Sequence, residues 1–475
     1  MILFSTLGSV LSASTSTIGT YFGARVFKTL GNTGTDYVGN VLVADITTLL
    51  HREIFLGLNA VPFVFTIWAG PPIAQILLDG STWRWGYGAY AITTPIVAVP
   101  VVYMLFWAQH NAKRAGFETR EMGAVVEGSA GKKGIWWQVR YWVIELDGRS
   151  NLEPNDDMLT SIVLGLTLLS TGFILTLLAV TLAKSSGSTW RSAHTLVMII
   201  LGPLLLVCFA IYERSYAPRP LIPFHLLRDR TVLGACLMSA TMRVAYYIWD
   251  DYYSSYLQVV HGMSVTHAGY VERVYSLVAC LWAPLLGYLI SRVGKFKIFA
   301  LIAVPVHALG AGLLIHFRHR GTHIAWLCFT QGLLGLGGGT LTNTEELAVM
   351  AATTHSNVAG ILAFKALFSY LGGAVGSAIA GALWLNLFPE KLAARLPAGS
   401  EASAARIFAS LKTQLSYEMG SPEREAIIQT YSDVQKVMAI ASTVIVVLAS
   451  GLVFIWRDLE LKGRRQTPGR VLGAK

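Results

Sequence analysis

The chain has 475 residues, of which 53% are hydrophobic and 13% are charged, and its formal net charge at pH 7 is +10. Because soluble domains carry about a quarter charged residues, this composition excludes a soluble enzyme and predicts a protein of the lipid bilayer. The basic residues are scattered through short loops instead of forming a stripe, so nucleic acid is excluded as a partner.

Twelve apolar segments follow one another along the chain. A helix needs about 20 apolar residues to cross about 30 Å of hydrocarbon, and only helices or closed barrels satisfy every backbone group there. The runs are continuous and do not alternate, which excludes barrel strands. We predict an all-α polytopic membrane bundle with segments at 1–16, 18–46, 54–79, 86–108, 158–183, 192–212, 232–258, 267–291, 296–316, 324–350, 358–388 and 437–456.

The second segment carries polar side chains along one helix face. At about 100° per residue, Arg25 and Asp36 fall within about 20° of each other, close to Asn32 and Asn40. Charged groups at membrane depth are costly, so they normally face water or a partner. We predict that all four residues contact a transported substrate and that Asp36 couples transport to protons. The alternative is an ion pair or hydrogen bonds that only hold helices together.

The seventh segment repeats this pattern with aromatic residues added. Arg243 and Asp250 lie seven residues apart on one helix face, near Tyr247, and the aromatic side chains continue to Tyr253. We predict that Arg243, Tyr247, Asp250 and Tyr253 contact the substrate. The alternative is an aromatic belt at the membrane surface, where Trp and Tyr gather in any case.

The tenth and eleventh segments contain ionisable residues and a run of glycines. We expect Glu345 and Glu346 to lie at the membrane interface, with a proton-coupling role for Glu345 as the alternative. Lys365 could pair with an acidic residue, but we expect it to snorkel to the surface. The small residues from Gly372 to Gly381 are typical of close helix packing.

The stretch "GYLISRVGKFK", which begins at Gly287, ends one segment and opens the next. It resembles the Gly-x-x-x-x-Arg-x-Gly-Arg loop of the major facilitator superfamily, in which glycines permit a tight turn and cations pair with helix ends. The resemblance implies a transporter of the major facilitator fold that works by alternating access.

Five further stretches resemble fungal siderophore-iron transporters, the facilitators that import ferric chelates. They span nearly the whole chain and are "GNTGTDYVGNVLVAD" from Gly31, "WRWGYG" from Trp83, "PFHLLRDRTV" from Pro223, "WDDYYSSYLQVV" from Trp249 and "GSPEREAIIQTYSDVQK" from Gly420. The resemblance implies proton-coupled uptake of a ferric siderophore. Tyr431 lies in the stretch that is similar to the family's last outer loop and is a candidate chelate contact.

Within the fourteen-span class of this superfamily, the chain resembles a transporter without its first two spans. The resemblance implies 1–108 as a partial N-terminal bundle, 109–157 as a cytoplasmic linker loop, 158–212 as two linker spans, 213–231 as a cytoplasmic loop, 232–456 as a C-terminal six-helix bundle with an external loop at 389–436, and 457–475 as a cytoplasmic tail. The bias of Lys and Arg between alternate loops places both termini in the cytoplasm.

Two other functions stay open. Proton-coupled drug or toxin efflux is the first, although Thr66 and Gln75 depart from the glycine-rich signature of those antiporters around Gly70 and Pro71. The second is a truncated form that transports nothing.

The sequence contains no Ser-His-Asp or HExxH arrangement, so we predict neither an enzyme nor a cofactor or metal site. The expected partners are a ferric siderophore, protons and the bilayer, and the expected protein is a monomer of the plasma membrane, with the endosomal or vacuolar membrane as the alternative.

Overall fold

The computed structural model describes residues 1–114, 156–182, 192–216, 227–354, 357–397 and 403–462. These ranges form eighteen α-helices and contain no β-strand. The helices are α1 (Ile2–Ser14), α2 (Ile18–Ile46), α3 (Arg52–Ala60), α4 (Pro62–Gly80), α5 (Trp83–Arg114), α6 (Asp156–Leu182), α7 (Ala193–Ser215), α8 (Arg230–Asp250), α9 (Tyr253–His261), α10 (Val265–Glu272), α11 (Val274–Val293), α12 (Lys297–Phe317), α13 (Ile324–Ala351), α14 (Val358–Arg395), α15 (Ala404–Ala409), α16 (Leu411–Ser416), α17 (Pro422–Ser450) and α18 (Leu452–Ile455).

Ten helical stretches of the described residues are long and apolar enough to cross a membrane. The predicted all-α membrane bundle is confirmed. The first predicted span is a helix of 13 residues and is shorter than the ten. The second, α2, is a helix of 29 residues that is not among the ten, because its polar residues lower its hydropathy. The predicted linker loop at 109–157 lies mostly outside the described residues.

Two predicted spans are broken into shorter helices. The segment predicted at 54–79 consists of α3 and α4, with Val61 between them and Pro62 at the start of α4. Proline suits the first turn of a helix, because its missing N–H would have no partner there. The seventh segment consists of α8 and α9, and α9 ends at Gly262, whose φ of 65° requires the left-handed conformation that glycine adopts without strain.

The chain divides into two compact units. Unit 1 comprises Met1–Leu42 and Ile73–Leu159, and unit 2 comprises Val43–Pro72 and Thr160–Lys475. In unit 1, α1 packs closely on α2 through glycine. A Cβ atom at Gly31 would lie 2.2 Å from the backbone nitrogen of Ser5. Beside this contact the Ser5 hydroxyl donates to Oδ1 of Asn32 at 2.6 Å.

Unit 2 is built on similar contacts between small residues. A Cβ atom at Gly372 of α14 would lie 2.1 Å from the Ala240 carbonyl oxygen of α8, and one at Gly287 of α11 would lie 2.6 Å from the Ile54 nitrogen of α3. Such contacts let helix backbones approach where side chains would hold them apart. The expectation that the glycines after Lys365 serve helix packing is confirmed.

The segment at 389–436, predicted to be helical, is helical in its described residues. Helix α14 continues to Arg395, α15 and α16 follow, and α17 begins at Pro422. Asp433 accepts from Lys391 at 3.2 Å and from Arg395 at 2.6 Å, which ties the end of α14 to α17. The side chains of these three residues are about one-third exposed, so the pairs contribute little stability.

The loop that carries the glycine and basic motif has the expected form. Helix α11 ends at Gly294, whose φ is 81°. Lys297 donates to the carbonyl oxygens of Phe454 and Trp456 at the end of α18. Lys462 donates to the Arg292 carbonyl oxygen at 3.0 Å. Cations therefore bind free carbonyl groups at helix ends, where the helix dipole favours positive charge.

Candidate transport site

Unit 2 contains a cavity of about 270 Å³. Residues from six helices of this unit line it: Ala60 of α3, Ser239, Met242, Arg243, Ala245, Tyr246 and Trp249 of α8, Tyr275, Ser276, Ala279, Cys280 and Ala283 of α11, His307 and Ala311 of α12, Leu334, Gly339, Thr342, Asn343 and Glu345 of α13, and Ser442 and Val446 of α17. α14 is not among the lining helices and packs against α8, since a Cβ atom at Gly372 would lie 2.1 Å from the Ala240 carbonyl oxygen. The lining mixes aromatic rings with a few polar groups, as is usual in small-molecule sites.

Three aromatic rings form one wall of this cavity. The centroid of Tyr246 lies 5.2 Å from that of Trp249 and 5.3 Å from that of Tyr275. These tilted and edge-on contacts are favourable for aromatic pairs, and they hold the rings in fixed orientations. The wall therefore offers ring surface to a bound molecule, while the hydroxyl of Tyr246 is hydrogen-bonded to Asp250.

Polar side chains stand beside this wall. Arg243 donates from Nε to the Ser369 hydroxyl of α14 at 3.1 Å, which orients its guanidinium. His307 is 5% exposed, and its Nδ1 lies 3.3 Å from the Leu334 carbonyl oxygen. A carbonyl oxygen can only accept, so Nδ1 carries the hydrogen of this bond. His307 was not predicted as a site residue, although a histidine inside an apolar segment is itself a signal.

A charged cluster lies at one side of the cavity. Glu345, which is 2% exposed, lines the cavity and pairs with Lys365, since Nζ lies 3.4 Å from Oε1. Lys365 also pairs with Glu346 at 3.3 Å. Lys365 is only 8% exposed, so the expectation that it snorkels to the surface is wrong. Glu345 is likewise buried within the protein, where the lysine offsets the cost of its charge, and its expected position at the membrane interface stays a prediction.

The other residues predicted on the seventh segment lie outside the cavity lining. Tyr247 packs against Gly373, where an added Cβ would lie 2.9 Å from its ring. Asp250 is half-buried next to Tyr246. Tyr253 is fully buried, and the guanidinium carbon of Arg318 lies 4.4 Å from its ring centroid. Arg243 and Glu345 are thus the predicted residues of unit 2 that line the cavity.

Tyr431 lies in a separate buried cluster. Its hydroxyl donates to Oε1 of Gln414 at 2.7 Å, and its ring centroid lies 5.0 Å from those of Trp384 and Phe388. With 1% of its surface exposed, Tyr431 packs the segment between α14 and α17 together. Its role as a chelate contact stays a prediction.

The predicted face of α2 belongs to unit 1 and is more open. Arg25 and Asp36 are exposed, whereas Asn32 and Asn40 are half-buried. Asn32 accepts the hydrogen bond from Ser5, so part of this face holds α1 in place. The hydrogen bond that holds helices together therefore applies to Asn32, whereas substrate contact by this face stays a prediction.

Comparison with known proteins agrees with this architecture. The sequence profile of the Major Facilitator Superfamily matches residues 1–317. "MFS siderochrome iron transporter 1" of Ajellomyces capsulatus is 38% identical over 98% of this chain and 76% of its own length. "MFS siderochrome iron transporter D" of Aspergillus fumigatus is 37% identical over 99% of this chain and 74% of its own length.

More distant matches include "Siderophore iron transporter 1" of Schizosaccharomyces pombe, which is 34% identical over 92% of this chain and 67% of its own length. A solved bacterial homolog of the human lysosomal transporter Spinster is 14% identical, with a TM-score of 0.45 over 95% of this chain and 80% of that one. The profile match defines a major facilitator. The chain belongs to this superfamily and, within it, to the siderophore iron transporter family of fungi.

Proposed function

We propose that this protein transports ferric siderophores across a membrane by alternating access, in the direction of uptake and together with protons. The observation that carries the proposal is the likeness to siderochrome iron transporters over 98% of the chain at 38% identity. A transporter needs no covalent chemistry, so the proposal includes no enzymatic step.

The cavity of unit 2 supports this substrate class. A ferric siderophore is large and polar, and its iron is already coordinated by the chelate, so a carrier needs ring surfaces and hydrogen bonds instead of metal ligands. The wall of Tyr246, Trp249 and Tyr275 supplies the rings, and Arg243 supplies a cation for chelate oxygens. The described residues contain no cluster of three His, Cys, Asp or Glu suited to a metal ion.

The proposal extends to residues beyond this cavity. The polar face of α2 provides further substrate contacts through Arg25, Asn32, Asp36 and Asn40, and Asp36 and Glu345 are the proposed proton-coupling carboxyls. The protein acts as a monomer in the plasma membrane, with both termini in the cytoplasm. An aqueous surrounding for Arg25 and Asp36 is consistent with their exposure within unit 1.

Uptake of radiolabelled ferric chelates by yeast that lacks its own siderophore importers tests the proposal. We expect accumulation that depends on this protein and collapses when a protonophore is added. Arg243→Gln should reduce uptake strongly, whereas Arg320→Gln, which removes a half-exposed partner of Glu425, should not. Absence of chelate-dependent uptake, with the protein present in the membrane, would contradict the proposal.

A further inference from the structure

The charged cluster beside the cavity contains more acids than bases. Lys365 of α14 lies between two carboxylates of α13, at 3.4 Å from Glu345 and 3.3 Å from Glu346. A third carboxylate, Glu53 of α3, is 1% exposed and has Glu346 and Lys365 in its electrostatic surroundings. Three buried or mostly buried carboxylates therefore share the field of one ammonium group.

Two oxygens of this cluster are left without a donor. Oε2 of Glu53 and Oε2 of Glu345 are buried, and neither has a hydrogen-bond partner among the described residues. An ionised carboxylate can only accept hydrogen bonds, so a buried oxygen without a donor is unfavourable. A bound proton removes one charge and turns one of these oxygens into a donor.

The neighbouring helices contribute few additional charges. From α8, Ser239 hydrogen-bonds Glu345, and Cys236 and Arg243 lie within its electrostatic reach. Arg243 is exposed and donates to Ser369. From α3, Arg52 donates to the carbonyl oxygens of Ala44 and Thr47. In the described part of the chain, Lys365 is the cation at ion-pair distance from Glu345 and Glu346.

We propose that Glu53, Glu345, Glu346 and Lys365 form a single proton-binding site and that Glu53 is the carboxyl that carries the proton. Glu345 and Glu346 each contact Lys365, whereas the described residues place no cation at ion-pair distance from Glu53. Protonation of Glu53 is therefore the change that removes the largest uncompensated charge. The assignment rests on the transport function proposed above and adds Glu53, beside Glu345, to its proton-coupling carboxyls.

The site is placed to exchange protons with two surroundings. Glu345 lines the cavity, whereas Glu346 is not among the cavity-lining residues and its side chain is 19% exposed. Glu53 is held here by α3, whose Gly57 would place a Cβ atom 2.6 Å from the Pro284 nitrogen of α11. A shift of α3 against α11 would carry Glu53 away from Lys365 and change its affinity for the proton.

Infrared spectroscopy of the purified full chain in lipid nanodiscs tests proton binding without transport. The wild type should show the carbonyl band of a protonated buried carboxyl at neutral pH, and Glu53→Gln should remove it. Glu272→Gln is the matched control, because Glu272 is a mostly buried carboxylate that is ion-paired with Arg273 at 3.3 Å, and it should leave the band unchanged. A band that persists in Glu53→Gln would overturn the assignment. Glu53→Asp, which keeps the acid, should retain a shifted band, and this variant decides the matter if Glu53→Gln does not fold.

Transport in vesicles separates this inference from the proposed function. Glu53→Gln should still exchange labelled for unlabelled ferric chelate, but it should lose the accumulation of chelate that a pH gradient drives. If one proton moves with each chelate, a gradient of about one pH unit drives about ten-fold accumulation in the wild type. Gradient-driven accumulation by Glu53→Gln equal to that of the wild type would overturn the inference. If the wild type fails to exchange chelate, the proposed function is wrong, while the infrared band still decides whether Glu53 binds a proton.

Discussion

Helices α2 and α8 carry similar polar faces in the sequence but have different surroundings in the structure. On α2 in unit 1, Arg25 and Asp36 are exposed. On α8 in unit 2, Arg243 lines a cavity, while Tyr247 packs on the glycines of α14. Helical spacing therefore predicts which side chains share a face, but it does not predict what covers that face. The same contrast applies to the lysines of the two units.

Removal of a lysine should destabilise the protein much more in unit 2 than in unit 1. Lys365 in unit 2 offsets two carboxylates in a buried setting, whereas Lys28 in unit 1 lies over the rings of Tyr87 and Tyr90 at 4.6 and 4.4 Å. Breaking a buried ion pair leaves an uncompensated charge, so Lys365→Met should cost about 3–5 kcal/mol. Lys28→Met should cost about 1 kcal/mol. Thermal unfolding of the purified variants in detergent measures both, and equal shifts in midpoint would remove the contrast.

The sequence predicts the membrane-spanning helices better than the tertiary contacts between them. Continuous apolar runs predict spans because backbone groups in lipid must pair within a helix, and the glycines after Lys365 predict close packing. Glu53 and His307 were missed, because their significance depends on helices distant in sequence: Glu53 faces α13 and α14, and His307 faces α13. A break of one residue between helices, such as Val61, is also not predicted, because hydrophobicity is averaged over many residues when spans are identified.

Glycine substitutions test whether small residues determine the close packing of helices in both units. Gly372→Ala should be destabilising by about 1–3 kcal/mol, because the new Cβ would lie 2.1 Å from the Ala240 carbonyl oxygen. Gly360→Ala on the same helix meets nothing within 4 Å and should be neutral or slightly stabilising. In unit 1, Gly31→Ala and Gly23→Ala on α2 are the matching test and control. A Cβ atom at Gly31 would clash with Ser5, whereas one at Gly23 meets nothing within 4 Å. The thermal midpoint should fall for the first member of each pair only.

Aromatic substitutions test whether the cavity of unit 2 binds the chelate. Tyr246→Ala removes a ring that contacts both Trp249 and Tyr275, and it should weaken chelate binding by about 1–2 kcal/mol, or roughly 5- to 30-fold. Tyr103→Ala in unit 1 removes a tyrosine that is 70% exposed and should leave binding unchanged. The KM for uptake measures the effect. An unchanged KM for Tyr246→Ala in a folded protein would place the chelate elsewhere.

The smallest effect is expected outside the spans, at Lys295. A hydrogen bond from its ammonium group to Asp458 at 3.2 Å, with the nearby charges of Asp458 and Glu460, raises the pKa of Lys295 above its usual value of 10.5. Folding therefore favours the charged form, so the contribution to stability is complete below the usual pKa and is lost as the pH rises through the folded-state pKa.

Since this ion pair is solvent-exposed, Lys295→Met should lower the thermal midpoint only slightly at neutral pH. The difference from the wild type should vanish in strongly alkaline solution and shrink at high salt. Lys297→Met is the comparison for the effect of salt, because Lys297 binds the uncharged carbonyl oxygens of Phe454 and Trp456 instead of a carboxylate. If Lys295→Met lowered the thermal midpoint as much as Lys365→Met, the solvent exposure of a charged pair would not determine its contribution to stability in this protein.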